Sequence, residues 1–150
     1  MPRGRKLKLV LDNKVLDRYC EEEYFIKHPR AHKRPIEKPF HPSLNTWMIK
    51  PRPIMNNLKQ TWHDFVIWWI HDLHLENEAL DKFKMKFTTY MPTKRRSDPD
   101  NMTPKFILDG FTDSGFIQDD SGTHLKELTL STDYDKRRPR LEIEVEVLPE

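Results

Sequence analysis

LEIEVEV (residues 141–147) alternates without a break, with Leu141, Ile143, Val145 and Val147 on one parity and Glu142, Glu144 and Glu146 on the other. Period two is the strand period, so this segment is a strand with one apolar and one solvated face. The glutamate row therefore reads as a sheet surface, with Lys84 and Lys86 as natural cross-strand partners. FKMKFTTY (residues 83–90) repeats the pattern: Phe83, Met85 and Phe87 alternate with Lys84, Lys86 and Thr88. A further strand is expected over residues 125–131.

The remaining apolar residues follow a different period. Leu58, Trp62, Phe65 and Trp69 recur at three- and four-residue spacing, with Val66, Ile70 and Leu73 beside them, which predicts a core helix capped by Asn56 or Asn57. Trp68 and Trp69 are placed on the flank opposite Trp62, where burial in the subunit competes with a role as a dimer contact. His63, His71 and His74 punctuate this helix and read as solvated histidines, since no cysteine or further histidine stands nearby at ligand spacing. Thr103 and Pro104 mark the start of a second, shorter helix carrying Phe106, Ile107, Leu108 and Phe111, and Gly115 offers its stop. The expectation is an α+β domain, a small mixed or antiparallel sheet with helices packed on one side.

With 150 residues the chain is one domain long. Sixteen aromatic residues argue against wholesale disorder. The longest apolar run, residues 65–70, is far short of the ~20 residues of a membrane-spanning helix. The basic start lacks an apolar core ahead of a small-residue cleavage site, so no secretory signal is read. Cys20, the one cysteine, excludes a disulfide framework. An intracellular, cytoplasmic protein is expected.

The net charge of +2 conceals a division: residues 1–60 carry 14 Lys and Arg against 6 Asp and Glu, and residues 61–150 carry 12 against 18. Residues 1–35, ending in HPRAHKRP, read as a basic extension, wrapped or mobile, although Asp12 is placed to cap a helix bearing Val15, Leu16 and Tyr19. Six of the 12 prolines fall between Pro29 and Pro53, so that stretch is expected to be extended or looped.

The carboxylates of the acidic part are unevenly placed. Asp98 and Asp100 flank Pro99, which favours extended backbone at Asp98, and side chains two apart in extended chain share a side. Two such carboxylates suit one hard cation with oxygen ligands. Asp119 and Asp120 arrive after the short helix, and the return of the chain could set Asp120 against the first pair. Three anions at close range repel unless a cation intervenes. Lys105, in the first turn of the helix, could stabilise charge on a scissile phosphate, which makes a phosphodiester the natural substrate class. Each piece also has a structural reading: Asp-Pro-Asp-Asn is a good turn, Lys105 and Asp109 are a surface i,i+4 pair, and Asp119-Asp120 can form a loop tip. A calcium loop counted from Asp98 fails, because Thr103 occupies the position that needs glycine.

Taken together, RRSDPDNMTPKFILDGFTDSGFIQDDSGTHLKEL (residues 95–128) resembles the signature of the RusA family of Holliday-junction resolvases. That family carries in order an Asp-x-Asp-Asn, a lysine opening a helix, an aspartate within it and a later Asp-Asp. PSLNTW (residues 42–47), with Lys59 and Trp62, is similar to the corresponding region of phage-type members. The resemblance spans residues 36–150, which it marks as the nuclease domain. It implies a homodimeric endodeoxyribonuclease of DNA recombination and repair that uses magnesium, or manganese in its place, to nick four-way junctions symmetrically, in a bacterial cytoplasm if the source is a phage or prophage. Asp98, Asp100 and Asp120 match the metal-binding catalytic aspartates and Lys105 the catalytic lysine. Asn101, Asp109 and Asp119 match supporting positions. Met102, Thr103 and Pro104 separate Asn101 from Lys105, one residue more than the family's usual spacing. Lys94, Arg95 and Arg96, together with Lys50, Arg52 and Lys59, are candidate DNA contacts. A catalytically silent branched-DNA-binding module of the same fold is the alternative, and an aromatic-surface adaptor a third reading.

Overall fold

The computed structural model describes residues 5–41, 50–94 and 104–149. Four strands form one sheet: β1 (Lys6–Asp12), β2 (Phe83–Met91), β3 (Leu125–Tyr134) and β4 (Arg140–Val147). Its order is β1-β4-β2-β3, with β4 antiparallel to both neighbours and β3 parallel to β2. Helix α1 begins as Asn13–Tyr19, passes through a π-helical turn at Cys20–Tyr24 and ends with Phe25–Lys27; α2 is Arg52–Asp72 and α3 is Lys105–Ser114. The class is α+β with a mixed sheet, as the alternation and helical periodicities predict.

Register explains why the charged residues stay on one face. Leu9, Ile143 and Phe87 lie abreast in one row, and Leu11, Leu141 and Thr89 in the next, all buried. On the other parity, Lys8, Glu144 and Lys86 lie abreast, as do Lys6, Glu146 and Lys84. Opposite charges alternate across the strands there, so Glu144 and Glu146 are balanced by lysines on both sides, while Glu142 stands between Val10 and Thr88. Glu142 is the most engaged, with Lys8 Nζ at 2.8 Å and Arg140 Nε at 2.6 Å. Partial burial pushes its carboxyl up, but these two cations outweigh that and hold it below the usual carboxylate range. A shift in the β2–β3 register between Phe83 and Lys84 interrupts the early alternation of β3, which continues to Tyr134, past the expected end at residue 131.

The apolar face packs on α2 and α3. Trp62, Phe65, Val66, Trp69 and Ile70 of α2 are buried, and the Phe65 and Trp69 rings stack with centroids 5.7 Å apart. Trp69 thus shares the face of Trp62, seven residues back, rather than the opposite flank: seven residues are close to two helical turns. Trp68 is only partly buried and packs on Tyr19 of α1, with Arg18 over its ring. Gly110 lets α3 approach α2, since a Cβ there would lie 2.6 Å from the Val66 side chain. Gly115 ends α3 in the left-handed region at φ +90°.

Two expectations are corrected. Helix α2 starts at Arg52, one turn before Asn56, with Pro53 in its first turn, where the missing N–H costs nothing because that group has no intrahelical acceptor. Residues 6–27 are not a separate extension: β1 pairs with β4 along its whole length, and Leu9, Leu11, Leu16 and Tyr19 belong to the common core. Asp12 does cap α1, accepting from the Val15 N–H at 3.0 Å. Arg138 from the far end of the chain also holds Asp12, at 2.8 Å. Among the described residues, no helix is long and apolar enough to cross a membrane.

Candidate active-site groove between α2 and α3

The start of α3 is set by a buried histidine. His41, within the proline-rich stretch, accepts the Phe106 N–H on Nε2 at 3.1 Å. Its ring lies against Phe106 and Trp62, with centroids 4.8 and 5.5 Å away. An imidazole that accepts on Nε2 in its neutral form carries its proton on Nδ1. This side chain satisfies one of the N–H groups that every helix start leaves without an intrahelical partner. Sequence reading passed over His41, since a lone histidine among prolines signals neither core nor cap. Thr103, the expected cap, lies outside the described residues.

From that start, Lys105, Asp109 and Asp113 follow at four-residue intervals along one side of α3. Asp109, Thr112 and Asp113 face Asn56, Lys59, Gln60 and His63 of α2 across an open groove of about 490 Å³, and the return of the chain places Asp119 and Asp120 in its lining. The structure therefore brings together Asp109, Asp119, Asp120 and Lys59. Lys105 is exposed on the first turn of α3, outside the lining residues. Lys50, Arg52 and Lys94 are also exposed. Asp98, Asp100 and Asn101, with Arg95, Arg96 and the PSLNTW segment at residues 42–47, lie outside the described residues.

Electrostatics in the groove centre on Asp120. Burial pushes its carboxyl above the ordinary value, and the charge of Asp109 and the adjoining Asp119 carboxyl push it the same way. Asp119 also accepts the Asp120 backbone N–H on Oδ1 at 2.9 Å, which fixes the Asp119 carboxylate against the backbone of its neighbour. Such crowding favours the approach of a proton or a cation. Among the described residues, no group of three or more His, Cys, Asp or Glu side chains converges as a metal cage. Of the three ligands expected from the sequence, only Asp120 is described. An all-oxygen carboxylate set suits a hard cation such as magnesium or manganese, and the crowding at Asp120 is of the kind such an ion relieves.

One pair in the groove had no signal in the sequence. His63 Nε2 and Asp113 Oδ2 stand 2.8 Å apart and join α2 to α3 across 50 residues of chain. His63 Nδ1 is buried without a hydrogen-bond partner, 3.7 Å from Asp64 Oδ1. His63 is therefore paired with Asp113 rather than free, although its side chain stays partly exposed as expected. His71 does remain exposed, and His74 sits past the helix end with φ +58°.

A scan against protein-family models finds none that matches the chain. A search of curated proteins likewise finds no match.

Proposed function

We propose that the chain is a metal-dependent, structure-selective endodeoxyribonuclease of the RusA type, which resolves four-way DNA junctions by paired nicks. The observation that carries this reading is the crowding of Asp109, Asp119 and Asp120 in an open groove that also holds Lys59 and runs beside the helix opened by Lys105. These are the residues that the RusA-like order of motifs singles out. In this reading Asp98, Asp100 and Asp120 hold the cation. A divalent ion so bound supplies an activated water and neutralises phosphate charge.

The protein's own groups have separate work. Lys105 and Lys59 form no ion pair with any described residue, so both charges are available to a phosphodiester. An anionic substrate approaches a carboxylate-lined groove only where such cations offset the repulsion. In this reading Lys105, exposed at the helix start beside the groove, stabilises charge on the scissile group. Asp109, one turn further, keeps the Asp120 carboxyl in a field that discourages ionisation without a counter-charge. Asp119, through the Asp120 N–H, fixes the backbone that carries the ligand. Two symmetric nicks call for two sites related by a two-fold axis, hence a homodimer.

The test is cleavage of a synthetic four-way junction in magnesium. Asp120→Asn and Asp100→Asn should each abolish nicking and leave junction binding largely intact. Undiminished cutting by either variant overturns the assignment of that residue, and a wild-type protein that binds junctions without nicking them in magnesium or manganese would instead be a silent DNA-binding module.

A further inference from the structure

At the end of the sheet where β2 and β3 finish, the β3–β4 connection carries Lys136, Arg137 and Arg138, followed by Arg140. Asp135 organises this turn. Its Oδ1 accepts the backbone N–H groups of Arg137 and Arg138, both at 3.1 Å, and its Oδ2 pairs with Arg140 at 2.7 Å. Arg140 is further held by Glu142 and lies over the Tyr90 ring at 3.8 Å, while Arg138 is held by Asp12. Two of the four cations are thus committed to the fold.

Lys136 and Arg137 are exposed, and neither side chain pairs with any described residue. A third exposed cation joins them from the neighbouring strand end: Lys94 lies over the Tyr134 ring at 5.2 Å. The turn is therefore ordered by its own carboxylate, with its remaining charges facing solvent, and a binding partner need not order it. Lys94 is also directly followed in sequence by Arg95 and Arg96, which lead to the Asp98-Pro99-Asp100 carboxylates. This ties the patch to the segment that carries the chemistry in the proposed function.

We infer that the β3–β4 turn is a second DNA contact, in which Lys136, Arg137 and Lys94 take backbone phosphates beside the junction. It rests on the endonuclease reading for the identity of the polyanion. Contacts of this kind position the protein on DNA without reading sequence, and each phosphate contact steepens the salt dependence of binding.

The experiment measures fluorescence anisotropy of a labelled four-way junction and a labelled duplex in EDTA over a salt series. It compares wild type with Lys136→Gln/Arg137→Gln and with Lys94→Gln. Lys82→Gln/Lys126→Gln is a charge-matched control at the opposite end of the sheet, and thermal melts verify that every variant folds. The turn variant should bind about tenfold more weakly at low salt, with the slope of log affinity against log salt shallower by about 2, and Lys94→Gln by about 1. The control should keep the wild-type slope. An unchanged slope in the turn variant, an equal loss in the control, or no salt-dependent binding by wild type overturns the inference. Nicking in magnesium is scored separately, so a protein that loses affinity as described yet never nicks refutes the endonuclease reading and leaves the DNA contact standing.

Discussion

His63 Nε2 and Asp113 Oδ2 meet at 2.8 Å across the groove between α2 and α3, a side-chain pair that ties the two helices together. Both are substantially exposed, with side-chain accessibilities of 37% and 58%, so solvent screens the attraction. A double-mutant cycle with His63→Gln and Asp113→Asn should give a coupling of about 0.5 kcal/mol or less. Chemical denaturation of the four proteins measures it, and a coupling several times larger would mean that the pair is far better shielded than its exposure indicates.

Asp120 makes an unusual stability prediction. Its carboxyl is raised in the folded state, so its contribution is fully present below the unfolded carboxylate value near 3.8 and is lost as pH rises through the higher folded value. Without divalent cations, Asp120→Asn should therefore melt above wild type at pH 7. The advantage should shrink as pH is lowered towards 4. Calorimetry across that range tests the sign, and a variant that melts below wild type at neutral pH would refute it.

Cation binding should reverse that order. In the proposed function a divalent ion binds only the folded site, and at about 100 times its dissociation constant it contributes about 2.7 kcal/mol. Manganese or magnesium should raise the wild-type melting temperature and leave Asp120→Asn nearly unmoved. Equal shifts in both proteins would point to binding elsewhere.

Asp12 acts in the opposite pH direction. Partial burial pushes its carboxyl up, but Arg138 and the Val15 and Lys14 N–H groups outweigh this and hold it below the ordinary value. Its contribution is present above the unfolded value near 3.8 and is lost as pH falls towards the folded value. Asp12→Ala removes both the cap of α1 and the partner of Arg138 and should cost about 2 kcal/mol at pH 7, whereas Asp12→Asn keeps the cap and should cost about half as much. Urea denaturation at pH 7 and near pH 3 should show the gap between wild type and Asp12→Ala narrowing in acid.

Gly110 separates intrinsic propensity from packing. Glycine to alanine inside a helix is ordinarily worth up to ~1 kcal/mol of stabilisation. Here the added methyl would meet Val66 at 2.6 Å, so Gly110→Ala should instead destabilise by about 1–3 kcal/mol. Adding Val66→Ala should recover part of the loss, and purely additive losses in the double variant would place the cost elsewhere.

Periodicity carried most of the fold. The alternation in residues 141–147 and 83–90 identified two strands and their apolar faces, because a sheet with one solvated side must keep its charges on one parity. The three- and four-residue spacing of Trp62, Phe65 and Trp69 marked the core helix, and Gly115 its neighbour's end. Local signals failed where long-range packing decides. The early start of α2 depends on prolines that a first turn tolerates, and the docking of β1 depends on a partner strand about 130 residues away.

The site divides along the same line. Sequence order by itself determined which carboxylates and lysines are candidates, since Asp98, Asp100, Lys105, Asp109, Asp119 and Asp120 occur in the order of a RusA-like motif. Only the tertiary structure decided which of the described ones meet: Asp109 crowds Asp120 because α3 and the chain after Gly115 fold back together, and Lys59 faces them because Gly110 lets α3 close on α2. His41 as a helix cap and His63 as the partner of Asp113 depend wholly on that packing. A chain can encode its own periodicity locally, whereas a contact between residues 50 or more positions apart exists only once the core has formed.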